Sequence, residues 1–433
     1  MSKLNDSKKR KSPKNFRPQI AVRARKVLGL KTEKVRQNFD FEAEVAGIKK
    51  SPVDLALVQG VNVLGWLSGE FGIAESSRAF VQALQTTDIP FALNNMASSS
   101  RDFSTLNEEF RRDNPFNTNL INITPSFLAP IFQSQGAAYF RNRYNIGVWY
   151  CETPDLPEHW HSCFDLCDEV WTPSHFCATI FARHAPVPVV KITYPFQPIS
   201  HLAASSSTRF RRGALGIEDD DFVFLFVFDF RSGDKRKNPR ALIEAFRHAF
   251  EKSNRTHGER KAVLVLKTLH REMAPESLAE LEEIARDLRV IWIHEHVMRN
   301  ELLSLFHDCD CYVSLHRAEG LGLGMAEAMS LGKPVIATAY SGNMEFMNVN
   351  NSFLVRYDLV ELKEDYGPYK SGDVWAEADV EHAALQMREV FDHRKRAQHI
   401  GQRAAQDIKL QFDAMKTGAE IRTRMDILAK TRR

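Results

Sequence analysis

Residues Leu315 to Asn343 read LHRAEGLGLGMAEAMSLGKPVIATAYSGN. The apolar run Cys311 to Leu315 leads into this stretch and predicts a buried strand. Gly320, Gly322 and Gly324 predict a turn, and the small and apolar residues from Leu323 to Leu331 predict a helix closed by Gly332. Two carboxylates, Glu319 and Glu327, bracket the turn with seven residues between them. Turn glycines let backbone approach a ligand closely. A helix N-terminus offers free N–H groups and a positive dipole end to a phosphate. Glu319 sits on the turn and Glu327 within the helix, so the two can serve separate ends of one ligand. Carboxylates accept hydrogen bonds from hydroxyls. The ligand suggested is polyhydroxylated and phosphorylated, as a nucleotide sugar is.

Outward from this stretch, strand-like and helix-like segments alternate along the chain, which predicts parallel sheets covered by helices. In the first half, strands are expected at Leu55–Val58 with Val61–Trp66, then Ile89–Leu93, Leu120–Ile123, Ile146–Trp149, Glu169–Thr172 and Val189–Thr193. In the second half they are expected at Phe222–Phe228, Ala262–Leu266, Val290–Ile293, Cys311–Leu315, Val335–Ala337 and Ser352–Val355. Helices are expected between them, with Asn238 as an N-cap before Pro239 and helical sequence from Asp379 onward. The Pro- and Ser-rich segment Tyr194 to Ser207 marks a boundary. The expected organisation is a basic, disordered tail over residues 1–50 and a Rossmann-like acceptor domain over 51–197. A Rossmann-like donor domain over 198–390 and closing helices over 391–433 that pack back on the first domain complete it. The fold class is α/β, two Rossmann-like domains facing across a cleft, with ligand at the carboxyl ends of the strands.

At 433 residues the chain exceeds what one hydrophobic core usually serves. Its longest clear apolar run, Phe222 to Phe228, is seven residues and reads as a strand, not a membrane span. The polar N-terminus lacks the apolar segment of a secretory signal, so a cytoplasmic location is expected. The net charge of +3 divides unevenly: residues 1–50 carry 15 Lys and Arg against 5 Asp and Glu, leaving the rest of the chain acidic. Residues 1–36 could therefore dock on an anionic membrane surface, peripheral to its inner face, or be a solvated tail. Nucleic acid is not expected as a partner, because no recognition motif accompanies the basic residues. Six cysteines are expected to be reduced. Cys163 and Cys167, with His159, His161, His175 and Cys177 nearby, lack the paired spacing of structural zinc sites.

Three blocks together resemble the donor-site signature of retaining glycosyltransferases of family 4, the glycosyl transferases group 1, whose fold is GT-B. One is Glu319-Gly-Leu-Gly followed by Glu327-Ala-Met-Ser-Leu-Gly-Lys-Pro-Val-Ile-Ala and Ser341-Gly-Asn. The others are Asp229-Phe-Arg-Ser-Gly-Asp-Lys-Arg-Lys-Asn-Pro239 and Gly65-Trp-Leu-Ser-Gly-Glu-Phe-Gly-Ile-Ala-Glu-Ser-Ser-Arg78. The likeness spans about residues 55 to 420. It implies transfer of a sugar, mannose among the candidates, from a UDP- or GDP-sugar to a glycan or lipid-linked glycan hydroxyl in polysaccharide or cell-surface glycan synthesis.

Site roles follow from this resemblance. An Arg and a Lys six positions apart map onto Arg231 and Lys237, with Arg236 a close competitor and Lys267 in support. Fixed cations there would stabilise the charge that develops on a departing nucleoside diphosphate. The resemblance implies that Glu327 binds ribose hydroxyls and that Glu319 binds the donor sugar near the reacting carbon. Backbone N–H groups of Gly320, Leu321, Gly322 and Leu323 would hold sugar hydroxyls and the distal phosphate. Ser341, Gly342 and Asn343 form another loop of the donor pocket, and Gly69 lies near the donor phosphate. Glu70 and Glu152 are acceptor-side candidates. No cofactor and no metal are expected. Asp308-Cys-Asp310 has the Asp-x-Asp form of a divalent-ion site but precedes its strand, so it reads as a helix end. A nucleotide-sugar epimerase and a catalytically inactive nucleotide-sugar-binding protein are the alternatives. A dehydrogenase is disfavoured because the first glycine turn is not Gly-x-Gly-x-x-Gly.

Overall fold

The structure is a computed structural model, and it describes residues 39–49, 52–69, 71–96, 109–196, 212–251, 261–366 and 369–431. The tail over residues 1–36, Glu70 and most of the Ser-rich boundary segment lie outside the described residues. The expected tail gives way at its end, where Phe41–Lys49 is a helix that buries Val45 and Ile48.

Strands β1 (Val58–Gly65), β2 (Phe91–Asn95), β3 (Phe116–Asn122), β4 (Tyr144–Val148), β5 (Glu169–Thr172) and β6 (Val189–Lys191) form one six-stranded sheet in the order β2-β1-β3-β4-β5-β6. A second sheet holds β7 (Phe222–Asp229), β8 (Ala262–Leu269), β9 (Val290–Ile293), β10 (Cys311–Ser314), β11 (Val335–Thr338) and β12 (Phe353–Val355), in the order β12-β11-β10-β7-β8-β9. Its paired strands all run parallel. A hairpin of β13 (Tyr357–Glu361) and β14 (Val374–Ala378) stands apart from both sheets. By contact, the chain groups into two compact units. One takes the described residues up to Arg78 with Pro90–Val148 and Ser162–Asp168; the other takes Ala79–Ile89, Trp149–His161 and Glu169 onward.

The second sheet shows why these sequences choose strand. Its central strand β7, FVFLFVFD, is buried along nearly its whole length, as a parallel strand covered on both faces requires. Phe224 packs on Phe246 and Phe250 of the helix Pro239–Phe250, and Phe250 meets Phe391 with ring centroids 5.1 Å apart. That helix begins as its sequence predicts: the Asn238 side chain accepts from Ala241 N, and proline fills the first helical position. After β14 come the helices Val380–Asp392, Arg394–Gln411 and Ala414–Thr431. The last is fastened to β5 by Arg424, which grips the fully buried Glu169 through two hydrogen bonds of 2.8 and 2.6 Å. No helix among the described residues is long and apolar enough to cross a membrane.

Candidate active site

In the second sheet the first and fourth strands, β7 and β10, are neighbours, and the chain winds outward from them in opposite directions. Loops leaving the carboxyl ends of such a pair diverge and open a crevice, where ligands of doubly wound sheets bind. The loop after β7 carries the basic block, and the loop after β10 carries the glycine turn. Both lie in the compact unit that runs from Glu169 onward. They are tied together by Arg317 N, which donates to Arg236 O at 2.8 Å.

The β7 loop is tightly folded. Asp229 caps a short turn by accepting from Arg231 N at 2.8 Å. A single helical turn, Asp234–Lys237, then ends at Asn238, whose φ of +55° is one that asparagine tolerates better than most residues. This turn aims Arg236 and Lys237 at Glu319. Lys237 Nζ donates to Glu319 Oε1, and Arg236 Nη1 lies 3.2 Å from the same oxygen and 2.7 Å from Ala318 O. Glu319 is 8% exposed and Arg236 4%. Burial by itself would raise the Glu319 pKa, but Lys237 first and then Arg236 outweigh it and hold the carboxyl down at about 2. Glu319 is therefore a carboxylate throughout the physiological range, able to accept a hydrogen bond or face a positive charge and unable to give up a proton. Burial lowers the Lys237 pKa, with Glu319 opposing it, while Arg236 is held charged by Tyr369, Glu319 and Glu152 against its own burial.

The sequence-predicted cations separate here. The structure brings Arg236 and Lys237 to Glu319, whereas Arg231 turns back to its own strand end, 3.4 Å from Asp229. The difference comes from the one-turn helix, which buries the side chain at 236. Lys267 lies two residues before the end of the neighbouring strand β8, buried, with its Nζ donating to Thr268 O at 2.8 Å. Burial lowers its pKa to about 8, opposed by Glu295 and Asp229. Glu152 reaches this cluster through its charge, acting on both Arg236 and Lys237.

The glycine turn is held from behind by the loop at 341–343. Glu319 N donates to Ser341 Oγ, and Gly342 N donates to Glu319 O, each at 2.8 Å. Ser341 sits at φ +79° and ψ −146°, a strained backbone for a residue with a Cβ. Asn343 is fully buried, with Nδ2 on Thr338 O at 3.0 Å and Oδ1 3.1 Å from His316 Nε2. His316 Nε2 also faces Tyr340 O, an acceptor only, so this nitrogen carries the proton and Nδ1 accepts from Ser314 Oγ at 3.0 Å. Burial lowers the His316 pKa and favours the neutral ring. Gly322, at φ +94°, leads into the helix Leu323–Ser330, whose first turn carries no side-chain cap. Glu327 lies on that helix, 8% exposed, and accepts from Arg299.

Gly69 lies in the other compact unit, in a loop whose carbonyls at Leu67 and Gly69 accept from Arg78 Nη1 at 2.9 and 2.7 Å. Asp310 is at the opposite strand end from the glycine turn. Its carboxylate accepts from Val223 N and pairs with Arg212 and Arg394, so these arginines already neutralise it. All six cysteines are free and buried, and among the described residues no group of three or more His, Cys, Asp and Glu is placed to hold a metal. Sequence reading did not single out His316, Arg299 or the hairpin. The hairpin supports the β10 loop through Ala376 N to Arg317 O at 3.0 Å and Arg317 Nε to Glu377 at 2.6 Å. The charged pair Arg317 and Glu377 was legible only as two isolated residues.

Comparison with known proteins bears on the fold and on the second half of the chain. Residues 207–407 match the family profile described as Glycosyl transferases group 1. No curated protein matches the chain. Among solved structures, a glycosyltransferase from Rickettsia africae ESF-5 superposes with a TM-score of 0.60 at 12% identity, covering 86% of this chain and 99% of that one. HepE of Anabaena, in complex with UDP-glucose, gives 0.59 at 15% identity, covering 85% of this chain and 100% of HepE. Sucrose-phosphate synthase from Thermosynechococcus elongatus gives 0.59 at 13%, covering 86% and 100%. At such identities the likeness is one of fold. With the two parallel six-stranded sheets of the GT-B fold and a glycosyl transferases group 1 domain over residues 207–407, the chain is a glycosyltransferase.

Proposed function

We propose that this glycosyltransferase moves a sugar from a UDP- or GDP-linked donor to a hydroxyl of a glycan or lipid-linked glycan, retaining the configuration at the transferred carbon. The observation that carries the reading is the joining of Arg236, Lys237 and Glu319 where the two loops diverge. The bond from the anomeric carbon to the phosphate oxygen breaks, and Arg236 and Lys237 meet the charge that gathers on the departing diphosphate. Glu319, ionised, faces the sugar as positive charge develops there. The acceptor oxygen bonds to that carbon from the side the phosphate leaves, and its proton passes to a phosphate oxygen. Glu327 on its helix takes the ribose hydroxyls, and the N–H groups of the glycine turn take the sugar and distal phosphate. Countercharge from these side chains supports a reaction without a divalent ion. Retention rests on the resemblance to family 4, and transfer of mannose in polysaccharide or cell-surface glycan synthesis is one version of the reading.

The test is a thermal-shift panel of UDP, GDP, ADP and their common sugar conjugates, without added metal and then with it. One nucleoside diphosphate is expected to stabilise the protein selectively, by about 2.7 kcal/mol at a hundredfold excess over its Kd. HepE was crystallised with UDP-glucose, which makes UDP the first to try. No shift with any member contradicts the donor-site reading.

A further inference from the structure

Resting on the donor-site reading, we propose that Ser174 is a positioning residue that sets the direction of the Gly320–Leu321 peptide in the donor loop. Ser174 is fully buried at the N-cap of the helix His175–His184. Its Oγ accepts from Cys177 N at 3.2 Å and donates to Gly320 O at 2.8 Å. A hydroxyl has a single proton to give, and here it goes to the glycine turn 146 residues away in sequence. Cys177 Sγ adds a weaker contact of 3.4 Å to the same carbonyl.

The consequence follows from peptide planarity. In a trans peptide the carbonyl and the following N–H point in opposite directions. Drawing the Gly320 carbonyl toward Ser174 turns Leu321 N–H the other way. One residue earlier, Gly342 N–H holds the Glu319 carbonyl, which likewise fixes the direction of Gly320 N–H. Two successive N–H groups are thus oriented before a ligand arrives, and donors already in place need not reorganise as charge develops. Gly320 is also pressed close at this point: a Cβ on it would stand 3.1 Å from Tyr150 Cβ.

The hydroxyl has two jobs, and Ser174→Gly separates them. Glycine serves as an N-cap nearly as well as serine, so the helix keeps its start while the bond to Gly320 is lost. Ser174→Thr keeps both jobs. The full chain and both variants are assayed for release of nucleoside diphosphate from UDP-glucose and from GDP-mannose. For Ser174→Gly, kcat is expected to fall on the order of tenfold with KM for the donor within about threefold, because the loss is one of orientation in the transition state. Ser174→Thr is expected to stay within about twofold of wild type. Wild-type rates in Ser174→Gly, or a threonine variant as slow as the glycine one, overturn the proposal alone. A wild-type protein that releases nucleoside diphosphate from neither donor overturns the donor-site reading, and this proposal with it.

Discussion

The Glu319→Gln variant should bind the preferred nucleoside diphosphate at least as tightly as the wild type while releasing it from its sugar conjugate at less than about a hundredth of the wild-type rate. The two effects have opposite signs because Glu319 has two relationships. Toward Arg236 and Lys237 it is a counter-ion that uses up part of their field. Glutamine frees that field for the diphosphate. Toward the sugar, in the proposed reaction, Glu319 would supply the fixed negative charge that faces the transition state, and an amide does not replace that charge. Stability should fall as well, by about 3 kcal/mol, since the buried Arg236 and the partly buried Lys237 lose their shared carboxylate. The pH dependence has a definite sign. Folding depresses the Glu319 pKa from 4.5 to about 2, so the stability it contributes is complete above pH 4.5 and disappears as the pH falls through 2. Denaturant melts of both proteins should therefore converge in acid. Equal turnover in the two proteins would sink the assignment of Glu319.

Gly342→Ala should be more disruptive than its size suggests. A Cβ there would lie 2.1 Å from Gly320 O, 2.3 Å from Gly320 C and 2.6 Å from Leu321 N. These are backbone atoms and cannot rotate aside. Either the 341–343 loop or the glycine turn has to move, and both bonds between them, Glu319 N to Ser341 Oγ and Gly342 N to Glu319 O, are put at risk. Overpacking at this level costs about 3 kcal/mol, and a displacement of about 1 Å at the reacting groups lowers turnover on the order of a hundredfold. Gly213→Ala serves as control, because its added Cβ meets nothing within 4 Å. Melting curves and donor turnover of the two variants check this; indistinguishable behaviour would contradict the tight joint between the loops.

Much of the architecture was legible because a parallel strand buried on both faces shows as an unbroken apolar run. Phe222–Phe228 was read within one residue of β7, and Glu169–Thr172 matches β5 at both ends. The carboxylates and glycines of the turn after β10 were legible because strand, turn and helix follow one another directly in sequence. Arg236 was harder to choose over Arg231. Lys235, Arg236 and Lys237 are alike in composition, and which of them is buried is set by one helical turn ending at the left-handed Asn238. The hairpin was missed for a different reason. A twelve-residue connection joins β13 to β14, with none of the two-residue turn signal that marks a tight hairpin. Ser174 and Arg299 act on partners far along the chain, and no local pattern in the sequence records such contacts.

The most direct test of the central claim, that Arg236 and Lys237 hold a nucleotide-sugar diphosphate at the diverging loops, is calorimetric titration of UDP and GDP into the wild type and into Lys237→Ala. A charge-assisted phosphate contact contributes about 1.5–3 kcal/mol, so the account predicts binding of one nucleotide to the wild type and binding roughly ten- to a hundredfold weaker to the variant. Equal affinity in the two proteins would contradict it.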